Sequence, residues 1–157
     1  MAEPDACAHL VALLEGLASV ERSPRRFLAA LGRQAAGIRP GPAGLLDLGT
    51  GGRNVFRGRG FKGRFDDATD GQVRHFAGIA VATAILGPRL TRWTSVHVGR
   101  DQPSSADGEL TEAAIEFATR ILSRSLPVAS APGWVLDVVC AAGATKPPGG
   151  SKGPSAG

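Results

Sequence analysis

The chain has 157 residues, of which 43% are hydrophobic and 20% charged: room for one ordinary domain, and too apolar for wholesale disorder. Lys and Arg outnumber Asp and Glu by 18 to 14, and a net charge of +4 suits solubility without naming a partner. No apolar run approaches the roughly 20 residues that span a bilayer, and two cysteines are too few for a disulfide-rich scaffold or a Cys-based zinc site.

The chain opens with its clearest periodicity. Cys7, Leu10, Val11, Leu14, Leu17 and Ala18 recur at helical spacing and predict a helix from about Asp5 to Val20. Ser23 and Pro24 form an N-cap and first-turn pair, and Phe27, Leu28, Leu31 and Ala35 carry a second helix to a stop at Gly37. The two read as a helical hairpin. The acidic start lacks the basic region of a signal peptide, which makes the cytoplasm the expected location and free thiols the expected state of Cys7 and Cys140.

Between Gly37 and Thr69 Pro and Gly interrupt every pattern, so residues 37–69 are expected to form a long irregular loop. Asp70 is positioned to cap the next helix, over 72–87, in which nothing from Phe76 to Gly87 carries a charge. Such a helix must be buried on several sides, and Ala77, Gly78, Ala80, Ala82 and Ala84 let neighbours come close. Pro88 is expected to end it. LTRWTSVHVG fits a short helix or a strand equally. Beyond a polar connection, Asp107 is placed to cap a helix that turns Leu110, Ala114, Phe117, Ala118, Ile121 and Leu122 inward, with Glu116 and Arg120 paired outside. GWVLDVVCAA is a last helix or an edge strand, and the low-complexity stretch 143–157 is expected to be disordered. The predicted fold is all-α: one domain, residues 1–142, of four to six helices packed around the 72–87 helix.

Four strings bear on chemistry. LLDLGTGGR, Leu45 to Arg53, resembles the first motif of Rossmann-like methyltransferases over nine residues, but Arg53 stands where the last glycine belongs and no alternating strands follow. A Gly-rich turn is the expectation there. DDATD, Asp66 to Asp70, resembles the DDxxD magnesium motif of prenyltransferases, yet the chain has no second acidic motif. An acidic loop is expected, with no metal and no cofactor. His75, beside Arg74 at the start of the uncharged helix, is a candidate general base with Asp70 and Arg100, and His97 and Asp101 within reach; that reading makes the protein a small hydrolase or toxin-like effector. The competing explanation is a buried histidine bonded to a loop carbonyl.

RNVFRGRGFKGRF, Arg53 to Phe65, interleaves five cations and three phenylalanines with glycines. It resembles RGG-type nucleic-acid-binding segments, in which guanidinium groups meet phosphates and rings stack on unpaired bases. Arg53, Phe56, Arg57, Arg59, Phe61, Lys62, Arg64 and Phe65 are therefore the candidate contacts to RNA, single-stranded DNA or an acidic protein surface. In the alternative the three rings plug the core and the cations face water. The leading functional expectation is a non-enzymatic binding domain.

Overall fold

The computed structural model describes residues 4–97 and 105–142. Among them are seven α-helices and no strand: α1 (Ala6–Val20), α2 (Pro24–Ala36), α3 (Pro42–Gly49), α4 (Gln72–Leu86), α5 (Pro88–His97), α6 (Ala106–Leu122) and α7 (Ala131–Val138), with single 3₁₀ turns at Gly63–Phe65 and Val128–Ser130. The fold is an all-α bundle, as its periodicities require. The 143–157 stretch lies outside the described residues, and so does Arg100.

The hairpin forms as its end signals dictate. The Asp5 carboxylate accepts the Ala8 N–H at 2.9 Å to start α1. Ser23 and Pro24 open α2, although the Ser23 hydroxyl makes no capping bond, and Gly37 closes it in the left-handed conformation. α4 packs most extensively on α2 and α6. Val73, Phe76, Ala77 and Ala80 are fully buried there, and the Phe76 ring meets Phe117 of α6 at 5.2 Å. Phe117 in turn reaches Trp134 of α7 at 5.5 Å. Burying each large apolar side chain is worth about 1.5–3 kcal/mol, so this seam outweighs the low intrinsic helix stability of a β-branched, Gly-containing segment.

The local expectations are corrected in several places. The stretch 37–69 is not wholly irregular, because α3 occupies Pro42–Gly49. Gly71, not Asp70, is the α4 N-cap residue, and Ser105, not Asp107, caps α6 by accepting the Gly108 N–H at 3.0 Å. α4 does stop just before Pro88, at Leu86, and the proline then takes the first position of α5, where its missing N–H costs nothing. Shielding of the uncharged stretch also fails at its end, since Ile85 is 51% exposed. Glu116 and Arg120 do pair across one turn, at 3.7 Å.

α2 packs tightly on α4 at Gly32, where a Cβ would run into Val81 Cγ2. Valine cannot swing that methyl away without changing its only side-chain rotamer. Gly32→Ala is therefore expected to lower stability by about 1–3 kcal/mol, read as a shift in the urea midpoint at unchanged m-value; an unchanged midpoint would show that the helices part at no cost.

Candidate functional site

The basic segment 53–65 lies between the two ends of the domain. On one side the Arg59 N–H donates to the Pro4 carbonyl at 3.0 Å, and the Cys7 N–H donates to the Arg59 carbonyl at 3.2 Å. On the other, the Lys62 N–H donates to Val139 O at 3.0 Å and the Ala141 N–H to Gly60 O at 2.7 Å. Isolated bridges Asp5–Arg59 and Phe61–Cys140 mark the same two contacts. Gly58 and Gly60 have φ of 125° and 102°, and a Cβ on them would strike the Pro4 carbonyl and the Asp5 carboxylate. Only glycine passes here.

Cys7 and Cys140 flank this crossing and are joined by a disulfide that spans 133 residues of sequence. The expectation of free thiols is thus corrected. Both cysteines do lie in apolar stripes, and both are core, but the hairpin and the last helix bring the two stripes face to face. In a chain-entropy account, closing a loop of this length is worth about 5 kcal/mol.

The loop sorts its side chains by polarity. Phe61 and Phe65 are buried in the core, and Phe56 is half-buried, packing against it with His9 at 6.2 Å. The rings of Phe61 and Phe65 are therefore turned away from any partner, and stacking on bases is not available to them. Two cations serve the loop itself: Arg59 donates to the Ala68 carbonyl at 3.2 Å and lies 3.9 Å from Asp66, while Lys62 Nζ donates to the Asp137 carbonyl. The Arg53 N–H donates to Ala36 O at 2.7 Å, and its guanidinium covers Gly37 at the C-terminal, electronegative end of α2. Arg57 is exposed. Arg64 lies over the Phe65 ring at 4.5 Å.

Arg64 also lines a groove of about 630 Å³ with Arg89, Arg92 and Arg120 from α5 and α6, over an apolar floor that includes Phe65 and Ile115. Glu109, Glu112 and Glu116 line it too, but Arg92 grips Glu112 through two bonds, at 2.6 and 2.9 Å, and Arg120 pairs with Glu116. Arg64 and Arg89 form no ion pair among the described residues. Sequence reasoning missed Arg89 and Arg92: no motif marks them, and only the fold brings α5 to the end of the loop.

The remaining candidates are placed elsewhere. His75 Nε2 lies 2.7 Å from Thr111 Oγ1 and 3.2 Å from the Asp107 carbonyl, with Ser95 Oγ 3.3 Å beyond Thr111. In its Nε2–H form the ring donates to that carbonyl, so α4 is tied to α6. His75 lines neither the Arg64 groove nor the smaller cleft beside Arg39 and Arg53. Asp70 is exposed and accepts from Asn54 Nδ2 at 3.1 Å, which fastens the loop's start to its end, and His97 stacks on Trp93 at 4.8 Å.

The DDATD carboxylates form turns rather than a helix face. Asp66 accepts the Ala68 N–H, and Asp67 accepts the Thr69 N–H and hydroxyl, with Gln72 Nε2 donating to both. Burial opposes ionisation of Asp67, yet its hydrogen bonds, those from Thr69 first and then one with the Asp107 side chain, together outweigh it and hold its pKa below the ordinary carboxylate value. Among the described residues no three His, Cys, Asp or Glu side chains are grouped to hold a metal ion.

The LLDLGTGGR string forms α3 and the turn after it instead of a strand and phosphate loop. Asp47 within it accepts from the Arg39 guanidinium at 2.9 and 3.0 Å and from the Arg39 N–H at 2.8 Å, beside a second cleft of about 340 Å³ that Arg53 also lines. No protein family, curated protein or solved structure matches the chain.

The side-chain and then the backbone bonds from Arg39 hold the Asp47 carboxyl down at about 2. Because the folded value lies below the unfolded one, the pair stabilises α3 at every pH above the ordinary carboxylate range, and that contribution is lost as pH falls toward 2. NMR titration of the Asp47 carboxyl should give a midpoint near 2 that Arg39→Ala moves upward; an ordinary midpoint in the unaltered protein would refute the pairing.

Proposed function

We propose that this domain is a non-enzymatic binding module that meets a nucleic-acid strand at its phosphates, through the outward cations of the 53–65 loop and the groove beside it. One observation carries the reading: Arg64, at the end of a loop held at both flanks, shares a groove with Arg89, Arg92 and Arg120. Arginines at a groove can grip phosphate oxygens in pairs. Since Phe61 and Phe65 are committed to the core, recognition runs on backbone charge, and strands of different base composition bind alike.

The hydrolase reading gains no support, because His75 is spent on the α4–α6 contact and lines neither of the two grooves described above. A cytoplasmic setting is not carried into the proposal either. A buried disulfide favours an oxidising compartment.

The test is binding of a labelled single-stranded RNA oligonucleotide over a series of salt concentrations. Affinity should fall linearly on a log–log plot, and the triple variant Arg57→Ala, Arg64→Ala, Arg89→Ala should flatten that slope by about 2 and weaken binding at least roughly tenfold. Unchanged affinity in the triple variant, or binding only to an acidic protein, would overturn the reading.

A further inference from the structure

We propose that the Cys7–Cys140 disulfide is a redox lock on the basic loop: oxidised, it holds the Gly58–Lys62 segment between the two ends of the domain, and reduction frees that segment while the helical bundle stays folded.

The lock is built from backbone on both sides. Pro4 to Cys7 pairs with Arg59, and Val139 to Ala141 pairs with Gly60 and Lys62, so the segment runs between the start of α1 and the chain that leaves α7. The disulfide joins the two outer pieces. Each outer piece contributes only two hydrogen bonds, too few to persist if the pieces drift apart. The covalent link adds to the packing of α1 on α7 in keeping them at the separation the middle piece requires. Phe61, paired directly with Cys140, is the one ring of the segment that enters the core, and it would be drawn out with it.

The bundle centre does not share this dependence. The α4 contacts with α2 and α6 are the most extensive in the domain and involve neither cysteine. Local opening at the ends is therefore separable from global unfolding.

Chemically, a dithiol reductant suffices. One of its thiolates attacks a cystine sulfur to form a mixed disulfide, and its second thiol then closes the reductant's own disulfide. Two electrons and two protons pass to Cys7 and Cys140, which become thiols. Cys7 is fully buried and Cys140 is 2% exposed, so the reductant gains access chiefly when the pieces separate. Coupling of this kind is reciprocal: whatever loosens the segment must speed reduction, just as reduction loosens the segment. The effect on RNA binding rests on the function proposed above, whereas the protease readout does not.

Native-state trypsin digestion of the double variant Cys7→Ala/Cys140→Ala, and of the unaltered protein kept in dithiothreitol, tests the lock. Cleavage after Arg57, Arg59, Lys62 and Arg64 should accelerate by about tenfold or more while the far-UV circular dichroism keeps its helical signal. Unchanged cleavage overturns the proposal, and so does loss of the helical signal, since the bond would then hold the bundle rather than the loop. In the disulfide-bonded protein, Gly60→Ala forces a Cβ against Asp5 and should speed reduction by dithiothreitol several-fold; an unaltered rate breaks the coupling and refutes the lock. If the loop is released as expected but neither redox form binds RNA, the lock stands and the nucleic-acid reading falls.

Discussion

Helix α4 offers water almost nothing to bond with along its middle, and the domain is arranged so that it does not have to. Its uncharged face is shared by α2 and α6, whose small residues and aromatic rings close over it, and the rest of the bundle attaches to that three-helix centre. Gly32 lets α2 approach to the distance of backbone against a valine methyl, while Phe117 extends the contact outward to α7. The hydrophobic requirement is satisfied by α4's first three turns, which is why its last residues emerge into solvent without penalty to the fold.

The chain's second constraint is the closure of its ends. A 13-residue segment rich in Arg and Gly has every reason to remain loose in water. Here it is held because its carbonyls and N–H groups find partners at both ends of the domain, and because three phenyl rings gain more from the core than from solvent. The same division that buries the rings leaves the cations outside, so anchoring and display come from one arrangement. Arg59 and Lys62 are drawn into the anchoring through carbonyl bonds, leaving Arg57 and Arg64 as the outward charges.

Much of this was legible in the residues, unevenly. The boundaries of α1, α2 and α4 follow from apolar spacing and from Ser23-Pro24 and Gly37, since these signals act over a few residues. The inward face of α6 and the Glu116–Arg120 pair follow for the same reason. α3 was hidden because Pro42 and its glycines read as interruption, when Pro42 in fact opens a helix that the Arg39–Asp47 pair then braces. The choice between helix and strand at α5 and α7 could not be made locally: Val and Trp serve either state, and packing on α6 and α1 decided it.

By itself, then, the amino-acid sequence determined the all-α class, the central place of α4 and the presence of a basic, glycine-rich excursion before it, because periodicity, helix ends and uncharged runs are properties of neighbouring residues. Tertiary structure alone decided that Cys7 meets Cys140, that the loop's rings turn inward, and that Arg64 joins Arg89 and Arg92 at one groove. Those are meetings between residues tens of positions apart, and no local preference encodes the path by which a folded chain brings them together.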